Sequence, residues 1–220
     1  MKRFDHIDTW VFDLDNTIYN ADEAIFIRMR QRMHEYISNL LNKPLKESGE
    51  LSDFYYHTYG TTLAGLMKDH HIDPEDFLDY VHDLDISDVK RCDVVKERLS
   101  QLPGRKIIFT NAARLHAKRM IDYLGITSFF EDIYDISDAG YLPKPDPQSY
   151  DTFIKKFNIN PQSACMLEDR AKNLKPAHDL GMTTIWFHLN NPEEQADQTG
   201  KHVHHQATDL KDWFTNYLES

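Results

Sequence analysis

The chain has 220 residues, of which 40% are hydrophobic and 28% charged, and its formal net charge at pH 7 is -11. This composition excludes an intrinsically disordered chain and predicts a globular protein, with one core or a core and a smaller second domain. The acidic balance argues against a surface for nucleic acid or anionic membranes, which both require basic patches, so any site for an anionic substrate needs its own local positive charge.

The sequence carries no signal for export or for a membrane. Its start, "MKRFDHIDTW", lacks an apolar signal core, and no apolar run reaches membrane-spanning length. The 2 cysteines, Cys92 and Cys165, do not form a CxxC pair, and we expect both to be reduced and mostly buried. These features predict a cytoplasmic protein and leave its oligomeric state open.

Short apolar, β-prone runs alternate with helical stretches through most of the chain. The runs are "TWVFD", "RKIIFTN", "DIYDIS", "ACMLED" and "TTIWFHL". Between the later runs, the sequence predicts helices at Arg114–Leu124, Pro147–Phe157 and Ala171–Leu180. These helices end near the stop signals Gly125, Asn158 and Gly181. The alternation predicts an α/β fold in which a parallel sheet lies between two layers of helices.

One interval, from Asn20 to about Leu102, contains no convincing strand. Asp22–Asn42 has apolar residues at every fourth position and is predicted to form one amphipathic helix. Shorter helices are predicted at Glu47–Tyr59, Thr61–His70 and Pro74–His82. Because the interval is too long for a loop, we predict an all-helical domain at residues 20–85, inserted into an α/β core of residues 1–19 and 86–220.

The polar, turn-rich segment Asn190–Asp209 is predicted to be a surface loop before a C-terminal helix at Leu210–Leu218. Its "HVHH" stretch does not predict a metal site, because no thiolate or carboxylate pattern there would complete a coordination shell. None of the 12 histidines is predicted to be catalytic.

Four polar motifs fall where a parallel sheet binds its ligands, at the carboxyl ends of strands. They are "DLDNT" at 13–17, Thr110–Asn111, "PKPD" at 143–146 before a predicted helix, and Glu168–Asp169. Taken singly, each motif also fits a turn, a helix cap or a solvated lysine. Their joint occurrence in this order predicts a single site.

The acids of these motifs suit Mg²⁺, which binds few carboxylates together with water and substrate phosphate. They are Asp13 and Asp15 after the first strand, and Glu168 and Asp169 after the fourth. Asp13 would lie close enough to phosphorus to act as a nucleophile and form an aspartyl-phosphate. Asp15 lies two residues on, on the same side of an extended chain. It would protonate the leaving oxygen and later deprotonate water.

A phosphoryl group also needs donors for its equatorial oxygens, where charge spreads in the transition state. We expect these donors to be the Thr110 hydroxyl, the Asn111 backbone N–H and the Lys144 ammonium group. Lys144 would also supply the local positive charge that the acidic chain otherwise lacks.

The ordered motifs "DLDNT", "FTNA", "PKPD" and "LEDRAKNL" resemble those of the haloacid dehalogenase superfamily of phosphotransferases, over essentially the whole chain. The resemblance implies a Rossmann-like core and Mg²⁺ as cofactor, and it identifies the inserted helices as a small helical cap. It implies the following roles: Asp13 as nucleophile, Asp15 as acid/base with its backbone carbonyl on the metal, Thr110 and Lys144 as phosphate binders, Asp169 as direct metal ligand, Glu168 as a ligand through water, and Thr17 and Asn173 as supporting residues. Many relatives have Asp at the position of Glu168, but either carboxylate can hold a metal-bound water.

Two stretches are also similar to the pyrimidine 5'-nucleotidase branch of that superfamily. They are "DTWVFDLDNTIYN" and, in the cap, "YYHTYGTTLAGLM" at 55–67; "VHDLDIS" at 81–87 is similar to a stretch that follows the cap helices there. This resemblance implies cap residues on the substrate side, His57, Tyr59, Thr61 and Thr62. The same cap stretch also fits a helix start, with Gly60 ending one helix and a threonine capping the next.

Together these features predict a Mg²⁺-dependent phosphomonoesterase whose small substrate is a pyrimidine nucleoside 5'-monophosphate, such as UMP or CMP. The alternatives are a phosphatase of another metabolite (a phosphosugar or phosphoglycolate), a phosphomutase, or a non-catalytic sensor of a phosphorylated ligand. A dehalogenase is disfavoured because its reaction gives Asp15 no proton to transfer. We expect no nucleic-acid or membrane partner.

Overall fold

The computed structural model describes residues 4–20, 23–188 and 200–216. Its elements in chain order are β1 (Thr9–Phe12), α1 (Glu23–Leu41), α2 (Leu45–Tyr59), α3 (Thr62–His70), α4 (Pro74–His82), α5 (Asp93–Gln101), β2 (Arg105–Phe109), α6 (Arg114–Leu124), β3 (Asp132–Tyr134), α7 (Pro147–Phe157), β4 (Ala164–Glu168), α8 (Ala171–Asp179), β5 (Thr183–Phe187), β6 (His205–Ala207) and α9 (Leu210–Asn216). Single 3₁₀ turns, Thr127–Phe129 and Pro161–Ser163, precede β3 and β4.

The strands form one parallel sheet in the order β3-β2-β1-β4-β5-β6. β1 lies inside the sheet, where Thr9 pairs with Arg105 of β2 on one side and with Ala164 of β4 on the other. Parallel pairing requires crossover connections, and helices lie between successive strands from β1 to β5. The prediction of an α/β fold with a Rossmann-like parallel sheet is confirmed.

β1 is buried on both faces of the sheet. Trp10 and Phe12 join one apolar cluster, and Val11 joins a second cluster on the opposite face with Tyr150 and Phe153 of α7. This two-sided burial explains why the strand is an uninterrupted apolar run instead of an alternating one. It also places the acids that follow β1 at the end of a rigid, fully packed element.

The predicted helix stops are confirmed. Gly125, Asn158 and Gly181 have φ values of 68°, 50° and 98°, in the left-handed region that ends helices. The helix α7 begins directly after Asp146, whose side chain accepts a hydrogen bond from Gln148 N at 2.9 Å. The last two residues of the predicted C-terminal helix, 217–218, lie outside the described residues.

The sequence analysis misses two elements of the core, β6 and α5. Within the predicted loop Asn190–Asp209, residues 205–207 form β6, which pairs with β5, while residues 190–199 lie outside the described chain. A short, polar edge strand gives no apolar run to detect, and His204 of "HVHH" contacts Thr184 instead of solvent alone. The helix α5 was not predicted because only Val95 and Leu99 of its residues are buried.

The four helices α1–α4 pack on one another between β1 and α5, as an inserted cap would. Gly60, with φ 86°, ends α2, and the Thr61 hydroxyl accepts a hydrogen bond from Ala64 N at 3.1 Å to cap α3. The cap therefore folds through ordinary helix capping at the stretch that also carries the substrate-side candidates. The boundaries at residues 20 and 85 stay a prediction.

Contacts on several sides hold the cap against the core. Arg28 pairs with Asp88 at 2.7 Å beyond the cap, and the Tyr141 hydroxyl, after β3, donates to Glu75 of α4 at 2.5 Å. The helical insertion is therefore fixed to the segments before α5 and after β3.

Cys165 is buried in β4 and Cys92 is half-buried, and both are free thiols. Among the described residues, no helix has the length and apolar character needed to cross a membrane.

We predict that Gly65→Ala destabilises the cap. A Cβ at residue 65 would lie 2.2 Å from Cγ of Tyr55, where α3 crosses α2, so the helices must separate. We expect a loss of about 1–3 kcal/mol in the free energy of unfolding in urea. Helix propensity alone would favour alanine by roughly 1 kcal/mol. A stabilised Gly65→Ala would therefore refute the steric argument. A double-mutant cycle with Tyr55→Ala, which removes the Cγ and Cδ1 atoms that lie 2.2 and 2.3 Å from the new Cβ, should show a smaller loss for Gly65→Ala.

Candidate active site

The site is built on the residues that follow β1. Asp13 is 7% exposed, and its backbone N–H donates to Leu167 O at 3.0 Å, which extends the β1–β4 pairing by one residue. Beyond it, Asn16 has a φ of 63°, which turns the chain back towards the sheet edge. Asp13 and Asp15 therefore lie at the carboxyl edge of the sheet, where the sequence predicted them.

Lys144, in the segment between β3 and α7, joins three strand ends. Its buried ammonium group donates to Asp13 Oδ1 at 2.6 Å, to Phe109 O at 2.8 Å and to Glu168 Oε2 at 2.7 Å. Asn111 holds the lysine backbone: its Oδ1 accepts from Lys144 N at 2.8 Å, and its Nδ2 donates to Lys144 O at 3.2 Å. All three donors of the ammonium group are thus satisfied within the protein.

The carboxyl groups around Lys144 outnumber its single positive charge. Burial lowers the pKa of Lys144, but the carboxylates of Asp13 and Glu168 outweigh burial and hold that pKa above the usual lysine value. Burial and the Glu168 charge raise the pKa of Asp13 to about 7, against the opposing effect of Lys144. One ammonium group therefore does not compensate the carboxyl groups around it, and Lys144 has no spare positive charge for a substrate.

A divalent cation fits this excess of acid. Asp13, Glu168 and Asp169 each place a carboxylate oxygen so that the three atoms lie within 4.8 Å of one another. Hard oxygen donors of this kind suit Mg²⁺, which the family resemblance implies. The Asp15 carboxyl group is not among these three, in keeping with the expectation that Asp15 offers only its backbone carbonyl.

Glu168 and Asp169 have different surroundings although they are neighbours. Glu168 Oε1 accepts from Arg170 N at 3.2 Å and from Asn173 Nδ2 at 3.1 Å, while Oε2 accepts from Lys144. Asp169 is half-buried, and its backbone carbonyl accepts from Trp186 Nε1 at 2.8 Å. The Glu168 carboxylate is engaged by three protein donors, which leaves it little freedom for direct contact with a metal.

Asp15 is held by two side chains that sequence analysis did not assign. The Tyr19 hydroxyl and the His116 ring, with Nε2 at 3.3 Å, both contact Oδ1 of Asp15. Burial would raise the pKa of Asp15, but the interactions with His116 and Tyr19 outweigh it and hold the pKa below its usual value. Asp15 is therefore an ionised, oriented carboxylate.

The two threonines of the core motifs lie inside the turns of the site. Thr110 is 1% exposed, and its hydroxyl accepts a hydrogen bond from Ala112 N at 3.0 Å. Thr17 is buried, and its hydroxyl has no hydrogen-bond partner in the part of the chain that the structure describes. Thr110 can still donate its hydroxyl hydrogen to a phosphoryl oxygen, because its described bond uses it only as acceptor.

The four predicted cap residues differ in whether their side chains already have structural partners. The Thr62 hydroxyl is buried against Ser52 at 2.9 Å, and the Thr61 side chain caps α3. His57 is exposed and packs on Tyr56, while Tyr59 is half-buried with Lys68 Nζ 4.5 Å from its ring centre. The two hydroxyls thus already have structural partners, and a substrate role for all four stays a prediction.

Tyr56 is a cap side chain that lies beside the segment following β4. Arg170 Cζ lies 5.5 Å and Lys172 Nζ 5.6 Å from the centre of its ring, just beyond Asp169. Sequence analysis missed Tyr56, although it lies within the quoted cap stretch next to His57. Arg170 and Lys172 bring positive charge near the site, whereas the charge of Lys144 is already paired with two carboxyl groups.

Comparisons with known proteins identify related hydrolases. A profile of haloacid dehalogenase-like hydrolases matches residues 10–187. "Phosphate metabolism protein 8" of Saccharomyces cerevisiae is 29% identical over 196 residues, which span 81% of this chain and 60% of the yeast protein. "Glyceraldehyde 3-phosphate phosphatase" of Methanocaldococcus jannaschii is 27% identical over 191 residues, 80% of this chain and 82% of that protein.

Solved structures share the fold. A haloacid dehalogenase-like phosphatase from Thermococcus onnurineus superposes with a TM-score of 0.65 at 17% identity, covering 97% of this chain and 100% of that one. L-2-haloacid dehalogenase from Xanthobacter autotrophicus superposes with a TM-score of 0.59 at 17% identity, covering 95% and 97% of the two chains. Because the same fold carries both names, function depends on the residues of the site.

We predict that Asp13→Asn stabilises the metal-free protein above pH 7. A carboxyl pKa raised to about 7 in the folded state means that stability falls as the pH rises from about 4, the unfolded pKa, to 7. Asparagine does not titrate, so the variant avoids this fall in the free energy of unfolding, which is at most roughly 4 kcal/mol. Urea unfolding in EDTA at pH 5 and pH 8 measures the difference. The exposed helix cap Asp73→Asn is the matched control, and equal pH slopes in wild type and Asp13→Asn would contradict the raised pKa.

Proposed function

The chain belongs to the haloacid dehalogenase-like hydrolases, and we propose that it is a Mg²⁺-dependent phosphomonoesterase that works through an aspartyl-phosphate. Relatives named as phosphatases support hydrolysis of phosphoric esters in general. The observation that carries the proposal is the contact of Lys144 with Asp13 and Glu168 at 2.6 and 2.7 Å, beside Asp169. A nucleophile, a buried cation and a metal-binding set of acids meet there.

Asp13 is the proposed nucleophile. A carboxylate oxygen attacks phosphorus, a bond from Asp13 to phosphorus forms, and the ester P–O bond breaks. Lys144 holds Asp13 in place through its 2.6 Å contact, so the attacking group does not need to reorganise. Water then attacks the phosphorus of the aspartyl-phosphate, which releases inorganic phosphate and restores Asp13.

Asp15 moves the proton in both halves of the reaction. It gives a proton to the departing alcohol oxygen and later takes one from the attacking water. A substrate phosphate placed next to Asp15 raises its pKa, because like charges disfavour the ionised form. That shift lets a carboxylate that is ionised in the unliganded site act as the acid once the ester is bound.

Thr110 and the Asn111 backbone N–H would donate to the equatorial phosphoryl oxygens, next to the Lys144 ammonium group. Asp169, Asp13 and the Asp15 carbonyl would hold Mg²⁺, with Glu168 through water. When bound, the ion neutralises charge on the phosphoryl group. Asn173, bonded to Glu168 at 3.1 Å, keeps the acid loop in position.

For the substrate, we propose a pyrimidine nucleoside 5'-monophosphate. The proposal is supported by the likeness of the β1 motif and of the cap stretch to the pyrimidine 5'-nucleotidase branch. The core residues bind phosphate only, so discrimination has to come from the cap. From the cap, Tyr56 contributes an aromatic ring, and Arg170 and Lys172 of the core approach that ring beside Asp169. A phosphosugar or phosphoglycolate phosphatase, a phosphomutase and a sensor remain the alternatives.

We predict that hydrolysis of p-nitrophenyl phosphate requires Mg²⁺ and is abolished by EDTA and by Asp13→Asn. Because Glu168 is engaged by three protein donors, Asp169→Asn should raise the Mg²⁺ concentration for half-maximal rate about tenfold more than Glu168→Gln does. The exposed Asp151→Asn, on α7, is the control and should change nothing. Binding of the ester without release of phosphate would instead indicate a sensor, and an equal or reversed order of the two variants would contradict the ligand assignment.

We predict a preference of at least about tenfold in kcat/KM for UMP and CMP over AMP and GMP, or roughly 1.4 kcal/mol. A one-ring pocket in the cap would hydrogen-bond the base edges, and a purine would hold the cap open or leave those protein groups unpaired. The measurement is kcat/KM for the four nucleotides, 2-phosphoglycolate and glyceraldehyde 3-phosphate at one Mg²⁺ concentration. Purines that turn over equally well, or a non-nucleotide that exceeds all four, would leave only the general phosphatase.

A further inference from the structure

His116 is a buried histidine on α6 that touches the proposed acid/base. The residue is 1% exposed, and its Nε2 lies 3.3 Å from Asp15 Oδ1. Because an ionised carboxylate can only accept hydrogen bonds, Nε2 carries the hydrogen. A buried imidazole needs such a partner, so this contact fixes the direction of the ring as well as that of the carboxylate.

Both contacts of Asp15 fall on the same oxygen. The Tyr19 hydroxyl also donates to Oδ1, so the hydrogen bonds that the described chain gives this carboxylate end there. Two donors from different directions fix the rotation of the carboxylate about its last bond. Oδ2 is then the oxygen that can exchange a proton with the leaving group or with water.

His116 is in turn packed against the cap. The ring of His82, the last residue of α4, lies 4.7 Å from the His116 ring, centre to centre, at an angle of 30°. His82 Nδ1 donates to Leu78 O at 2.9 Å, and Arg119 of α6 donates to His82 O at 3.1 Å. The end of α4 is therefore tied to α6 within one turn of His116.

We infer that His116 is a positioning residue for Asp15, and that the His82 ring stacked on it makes this position depend on the cap. The inference rests on the proposed phosphatase function. When α4 lies on the core, His82 covers one face of the His116 ring and keeps it pointed at Oδ1. Displacement of the cap uncovers that face, so the His116 ring can turn. Asp15 then loses one of the two hydrogen-bond donors that orient it. Proton transfer is then efficient only in the state that encloses the substrate.

The test uses two leaving groups. p-Nitrophenolate departs readily without a proton, whereas the alcohol of an alkyl phosphate needs one from Asp15. Therefore His116→Leu should lower kcat/KM for the best alkyl phosphate of the substrate panel about tenfold more than for p-nitrophenyl phosphate. Asp15→Asn provides the reference for this signature. His116→Gln, which keeps an N–H near the place of Nε2, should restore most of the loss, and His82→Leu should give the same pattern more weakly.

His6→Leu is the matched control, since His6 is exposed and contacts Thr183 at the other end of the sheet, and it should leave the ratio of the two substrates unchanged. Equal losses on both substrates for His116→Leu, or a glutamine variant no better than leucine, would overturn the positioning role. A normal substrate ratio in His82→Leu would overturn the link to the cap. A wild-type protein that hydrolyses neither ester would instead overturn the proposed function itself, and the inference with it.

Discussion

The arrangement of the site depends on one buried ammonium group. A lysine loses its hydration when it is buried, and it is tolerated only if every donor finds an acceptor. Lys144 finds these acceptors on the ends of three adjacent strands, β1, β2 and β4, through Asp13, Phe109 O and Glu168. The contact therefore joins the central strands at their carboxyl edge and sets the distance between Asp13 and Glu168. Asn111 completes the arrangement by fixing the lysine backbone.

The position of the cap follows from where the chain leaves this edge. The segment after Asp13 turns at Asn16, returns to Asp15 through Tyr19, and only then enters α1. The inserted helices thus follow directly on the segment that contains Asp13 and Asp15, and their last residue, His82, is hydrogen-bonded to Arg119 of α6. A movement of the cap would therefore act on the surroundings of Asp15, whereas the described hydrogen bonds of Lys144 and Glu168 all come from the core.

Sequence analysis could predict the parts of the molecule that leave a local signal. The runs at β1–β5 are apolar because those strands are buried, and Gly125 and Asn158 end helices because left-handed backbone favours them. The strand β6 and the helix α5 lack such a pattern, since one is a polar edge strand and the other buries few side chains. The acids and Lys144 could be found because strand ends meet at one edge of a parallel sheet.

The residues that sequence analysis missed reach the site by a different route. His116 and Tyr56 project from helices whose relative placement is decided by tertiary packing, so no spacing in the sequence brings them next to Asp15 or Arg170. Conversely, Thr61 and Thr62 are predicted from the cap stretch, but their hydroxyls have local partners. The Thr61 hydroxyl caps α3, and the Thr62 hydroxyl contacts the Ser52 hydroxyl.

For the proposed phosphatase, the balance of charge gives a physical reason for a metal and for the cap. Lys144 is already paired with two carboxylates, and the pKa of Asp13 near 7 shows that these acids exceed the cation available to them. A phosphate dianion added to that cluster would meet the repulsion of these carboxylates. A divalent ion among the three acids offsets the excess, and Arg170 and Lys172 add charge where the loop meets Tyr56. In the proposed phosphatase, phosphate affinity would therefore be assembled locally, from an ion among the three acids and from the cationic side chains beside Tyr56.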